Sequence, residues 1–212
     1  PEEYFHLVAD IVHRYGGKYI SDEVQTGAGR CGQDLLLTKS LKIDADIITM
    51  AKGFGNGAAI GATIMRSEVA EPLTGKLYFN TFAGDPFQTM QALTTMEIIQ
   101  EENLIENARI VGEYLKNGLL ELQKRHPLIG DVRGRGLLVG IELVKDRETK
   151  EYATAETNQL MELMKERNVL IGKGGLFGNV VRLAPALTLT CTQADQLLAA
   201  LDESLSVIEK AS

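Results

Sequence analysis

DIITMAKGFGNG, residues 46–57, begins as an unbroken run of apolar and β-branched residues and ends in a glycine-rich loop. A run of this kind reads as a strand buried on both faces, as in parallel sheets covered by helices. GATIM, residues 61–65, repeats the pattern, and upstream a short strand from Lys18 to Ser21 leads into Asp22. Helical spacing surrounds these strands. Pro1 suits a first helical position, and Phe5, Val8, Ile11, Val12 and Tyr15 recur until Gly16-Gly17 ends the pattern. From Pro86 to about Arg125 the spacing is again helical, with a break near Asn103. Strands alternating with helices predict an α/β fold with a mainly parallel sheet.

Beyond His126-Pro127 the texture changes. Val132–Leu143, Val169–Gly175 and Val180–Leu187 read as strands, separated by a helix through Leu160, Leu163 and Met164. A terminal helix follows, in which Thr192 and Asp195 have capping-box spacing and Leu197, Leu198, Leu201 and Leu205 form an apolar face. These elements predict a small C-terminal α+β domain. The expected division is residues 1–105, part of a large domain, and residues 106–212, a linking helix with the small domain.

Composition narrows the function. The 212 residues are 44% apolar and carry a net charge of −7, which suits a globule and argues against a nucleic-acid surface. Two cysteines, Cys31 and Cys191, without CxxC spacing speak against a disulfide framework or a zinc site and for a reducing intracellular compartment. No apolar run approaches the ~18 residues of a membrane span, so no membrane partner is expected.

Two residues point to chemistry. Asp22 ends a strand, where ligands bind in open α/β sheets, although an Asp-Glu pair also serves simply to start a turn or cap a helix. Lys52 follows the strand DIITM directly and precedes GFGNG, so its amine emerges beside backbone that a ligand can approach closely. Burial at a core edge would free such an amine for attack on a carbonyl; snorkelling to solvent is the alternative. The glycines of GFGNGAAIG and GRGLLVG do not leave a strand to open a helix, which excludes a dinucleotide loop. His6, His13 and His126 have no base or metal partner at useful spacing. An Asp and a Lys at successive strand ends, 52 − 22 = 30 positions apart, form the pair that pyridoxal phosphate (PLP) needs: a carboxylate to keep the ring nitrogen protonated and an amine to tether it.

DEVQTGAGR, DADIITMAKGFGNG, FNTFAGDP, GDVRGRGLLVGIEL and VVRLAPAL, in this order, resemble the class III (omega-amino-acid type) aminotransferases of PLP fold type I, and most of all their mitochondrial-type alanine–glyoxylate branch. The resemblance implies that Asp22 pairs with the pyridinium nitrogen, Val24 packs on the ring and Gln25 contacts its phenolic oxygen. Lys52 would form the Schiff base and shuttle the proton at the substrate's α carbon. Thr81 would reach the cofactor phosphate of the opposite subunit of a homodimer, and Arg182 would clamp the substrate carboxylate. The substrates implied are an amino acid and a 2-oxo acid such as glyoxylate or pyruvate. Ala28, Ala59, Ala83-Gly84-Asp85 and Ala186 depart from the family pattern; none removes a catalytic group, but they blur which substrate is preferred. The family's chains are longer, so the sequence corresponds to a C-terminal portion, and weak PLP binding with little turnover is expected of it in isolation. A PLP-dependent aminomutase or lyase, or a non-catalytic fragment, are the competing readings. The compartment implied is the cytoplasm, or the mitochondrial matrix where a transit peptide precedes the chain.

Overall fold

The computed structural model describes residues 3–211; the reading of Pro1 lies outside them. The chain folds as two compact units, Pro1–Ile105 and Glu106–Ser212.

The first unit contains α1 (Tyr4–Arg14), β1 (Ile20–Asp22), α2 (Leu37–Ser40), β2 (Ile47–Met50), β3 (Ala62–Met65), α3 (Ser67–Ala70) and α4 (Pro86–Glu101). Its sheet has the order β1-β2-β3. β1 and β2 are parallel, with Asp22 opposite Thr49, and both carry their C-terminal ends to the same end of the sheet. β3 is antiparallel to β2. The link between them, residues 51–61, holds only a 3-10 turn at Lys52–Phe54, too short for the helical crossover of a dozen or more residues that a parallel neighbour requires. The parallel character expected of the sheet is therefore confined, among the described strands, to β1 and β2.

The N-terminal end of this strand pair is pinned by Asp46. Its buried carboxylate accepts from the Tyr19 amide at 2.8 Å, His13 Nε2 at 2.7 Å and Lys18 Nζ at 3.2 Å. The Tyr19 amide, then His13, hold the Asp46 carboxyl down at about 2, against the opposing effect of burial. His13 thus has a carboxylate partner, 33 positions away, which corrects the reading of it as partnerless. His6 is exposed on α1.

The second unit takes all but the first two residues of α5 (Leu104–Arg125), followed by β4 (Ile129–Arg135), β5 (Leu138–Leu143), α6 (Thr154–Glu166), β6 (Gly172–Gly174), β7 (Val180–Leu183) and α7 (Cys191–Ala211). Asn103, at φ 52°, makes the break between α4 and α5. The sheet is antiparallel throughout, ordered β4-β5-β7-β6. Leu115, Leu119, Ile129, Ile141, Leu143, Leu160, Met164, Val181, Leu201 and Leu205 are fully or nearly fully buried in its core.

Four expectations are corrected by this unit. Val132–Leu143 is not one strand but most of the β4–β5 hairpin: Arg135 pairs with Leu138, and Gly136, at φ 52°, opens the two-residue turn. The strands expected at Val169–Gly175 and Val180–Leu187 shrink to β6 and β7; glycines and prolines at their ends supply few ladder donors or packing groups. The cap of α7 is Thr190, whose Oγ1 accepts from the Gln193 amide at 3.3 Å while Gln193 Oε1 accepts from the Thr190 amide at 3.0 Å. Thr192 lies inside the helix, and Asp195 accepts from the Tyr114 hydroxyl at 2.6 Å. His126 is buried between Asp202 (2.7 Å from Nε2) and Glu209 (2.8 Å from Nδ1), tying the end of α5 to α7. Its hydrogen bond, ahead of that from Arg125, holds the Asp202 carboxyl below its usual range.

Candidate active site

Parallel pairing of β1 and β2 places Asp22 at a strand end and Lys52 two residues past the neighbouring one, at the same end of the sheet. This is where open α/β sheets bind ligands. Asp22 is exposed, and its Oδ1 accepts from the Val24 amide at 2.9 Å, the local turn that the dipeptide alone suggests. Lys52 is exposed as well, so the burial expected of it is absent among the described residues.

The backbone of Lys52 is unusual. It lies at φ 49°, in the left-handed region, and its carbonyl accepts from the Gly55 and Asn56 amides at 3.0 and 3.1 Å. A residue with a Cβ pays about 1–2 kcal/mol for that conformation, which Gly adopts freely and Asn more readily than most. Strain of this kind, at the sheet end that also carries Asp22, is a pointer to function.

The residue between Asp22 and Val24 completes the turn. Glu23 is 2% exposed. Its Oε2 accepts from Thr26 Oγ1 at 2.5 Å and the Leu37 amide at 3.1 Å; its Oε1 accepts from the Thr38 amide at 2.6 Å and Thr38 Oγ1 at 2.8 Å. Glu23 therefore caps α2 from a distance. Sequence reasoning assigned it no role beyond a turn or cap; the available signal was the alternation that turns one member of a strand-end Asp-Glu pair outward and the other in.

Of the remaining candidates, Val24 is half-buried and Gln25 exposed in the same turn. Thr81 belongs to the same unit, in an exposed stretch where Leu77, Tyr78, Phe79 and Phe82 are each at least 79% exposed. Arg182 belongs to the second unit. It stands on β7 between Gly140 and Gly172 on the flanking strands, and lines a cavity of about 210 Å³ with Leu170, Ile171, Pro185 and Leu197. A Cβ on Gly172 would come within 3.2 Å of the Arg182 carbonyl oxygen and 4.0 Å of its Nε, so glycine keeps that flank open. Among the described residues no group of three or more His, Cys, Asp or Glu could hold a metal ion. No helix of the described residues is long and apolar enough to cross a membrane.

Comparison with known proteins places these features in context. Residues 1–205 match the family model of class-III aminotransferases. Over 203 residues the chain is 48% identical to the mitochondrial alanine–glyoxylate aminotransferase 2 homolog 2 of Arabidopsis thaliana, covering 96% of this chain and 42% of that protein. It is 37% identical to ethanolamine-phosphate phospho-lyase homolog 1 of Caenorhabditis elegans, over 99% of this chain and 46% of the relative. An amine transaminase from an uncultivated Pseudomonas species, solved in its PLP-bound form, superposes with a TM-score of 0.89 at 30% identity, over 98% of this chain and 48% of that one. The chain thus spans less than half the length of these relatives.

Proposed function

Because the chain belongs to the class III aminotransferases, we propose that the protein carrying it moves an amino group from an amino acid to a 2-oxo acid, such as glyoxylate or pyruvate, with PLP held at the C-terminal ends of β1 and β2. The observation that carries the reading is the exposed carboxylate and primary amine at one end of a parallel strand pair, the amine on a left-handed backbone. That donor set fits the cofactor: an acid for its ring nitrogen and an amine for its aldehyde.

When bound, PLP supplies an electron sink for a bond broken at the substrate's α carbon. In this reading Asp22 would pair with the ring nitrogen, Val24 would pack on the ring and Gln25 would hydrogen-bond its phenolic oxygen. Lys52 is the covalent anchor. Its amine would also serve as the general base for the proton at the substrate's α carbon. Arg182 offers a planar fork of donors to the substrate carboxylate. Thr81 would reach the cofactor phosphate of the opposite subunit of a homodimer, an assembly that the exposed apolar run around it supports. The mitochondrial name of the Arabidopsis relative supports a matrix location.

The test is spectroscopic. The purified protein is mixed with PLP beside a Lys52→Ala variant, then reduced with borohydride and digested for mass spectrometry. A visible band lost in the variant, with the pyridoxyl label on Lys52, is the expected result; no label, or label scattered over surface lysines, overturns the reading and favours the non-catalytic one. The phospho-lyase relative keeps elimination as the second reading. Product analysis separates the two: a 2-oxo acid and a new amino acid mark transfer, free phosphate from phosphoethanolamine marks elimination.

A further inference from the structure

We propose that Glu23 is a positioning residue for the cofactor-facing turn, fixing the backbone that carries Asp22, Val24 and Gln25 by anchoring it to α2 and to β2. The inference rests on the aminotransferase reading above. Glu23 is held at both its side chain and its main chain. Its two carboxylate oxygens take four donors, from Thr26, Leu37 and Thr38. Its amide donates to the Thr49 carbonyl at 2.9 Å, which continues the β1–β2 pairing one step beyond Asp22, and its carbonyl accepts from the Gly27 amide at 2.8 Å. Gly27 is packed so closely that a Cβ there would lie 2.8 Å from that carbonyl oxygen.

Asp22 is exposed, and its carboxylate accepts from the amide of Val24, inside the same turn. An acid that must face a ring nitrogen loses its effect when displaced by about 1 Å, so its direction has to be set by groups that are themselves locked. Glu23 is the locked residue of this turn. α2 has only four residues, which makes its own capping a weak reason to bury a carboxylate under four donors.

The test uses Glu23→Gln in the purified protein, with Asp22→Asn as reference. A glutamine keeps the shape but sets an NH2 against amide donors, leaving at least one unpaired. Three quantities are measured: PLP affinity by absorbance titration, the pH midpoint of the bound cofactor's visible band, and thermal melting without cofactor. The expected result is about tenfold weaker PLP binding, the scale typical of removing a group that orients a ligand, with the midpoint displaced in the same direction as in Asp22→Asn. Lowered melting with unchanged affinity and midpoint would reduce Glu23 to a helix cap and overturn the inference alone. A wild-type protein that binds no PLP at Lys52 overturns both readings. Should Glu23→Gln fail to fold, Thr38→Val deletes one donor to Oε1; a smaller shift in the same two readouts is expected, and none overturns the proposal.

Discussion

At Asp22 the two uses of a carboxylate can be separated by one atom. Asparagine keeps an oxygen that accepts from the Val24 amide, so Asp22→Asn should leave the unfolding free energy from urea titration within about 0.5 kcal/mol of wild type. It cannot hold a proton on a ring nitrogen through charge, and kcat for transfer should fall at least roughly 100-fold, read from single-turnover rates with saturating PLP. Equal loss of stability and rate would mean that the turn, not the charge, is what Asp22 provides. The backbone of Lys52 offers a complementary readout: Lys52→Gly should raise stability by about 1 kcal/mol by relieving the left-handed strain at φ 49°, while abolishing covalent PLP attachment. Asp22 and Lys52 were legible in the sequence because each follows a short apolar run that names its place at a strand end. Glu23 had only strand alternation to mark it as inward-facing, and His13 and His126 had no local signal at all, because their carboxylate partners lie 33 to 83 positions away.

Among the elements, α7 tests how fine the capping signal is. Thr190 and Gln193 exchange hydrogen bonds at its start, so Thr190→Ala should cost about 1 kcal/mol, whereas Thr192→Ala, within the first turn, should be close to neutral. Thermal melts of the two variants decide it. Both threonines have an acceptor three positions on, and the sequence offers two frames; the helix takes the earlier one, in which the partner is a glutamine able to return the hydrogen bond. The β4–β5 hairpin was hidden for a related reason. Its turn residues, Gly136 and Leu137, sit in a run of apolar and glycine residues that reads equally well as continuous strand. What fixes the turn is remote: a Cβ on Gly112 of α5 would lie 2.3 Å from the Gly136 backbone, so Gly112→Ala should force the helix and the hairpin apart and lower stability by about 2 kcal/mol.

For the molecule as a whole, acid is the informative perturbation. In the unfolded chain Asp46 binds its proton near ~3.9, but in the folded chain only near about 2, because Tyr19, His13 and Lys18 hold the charged form. The unfolded state therefore binds more protons in that interval, and the stability that Asp46 contributes is complete above about pH 4 and lost as pH falls toward 2. Asp202, also held low, adds in the same direction. Urea midpoints from pH 6 to pH 2 should show this decline, and Asp46→Asn should lower the neutral plateau and flatten the acid limb. The fold class was readable from strand and helix periods, while the antiparallel turn of β3 depends on a linker's length and the second unit's sheet order on pairings that periodicity does not carry. The β1–β2 pair works from two ends, with Asp46 pinned at one and Asp22 and Lys52 open at the other. A directed-evolution library confined to Val24 and Gln25 should therefore shift PLP affinity while expression yield holds, whereas one built around Tyr19 and Asp46 should thin the yield and leave the survivors' PLP affinity as it was.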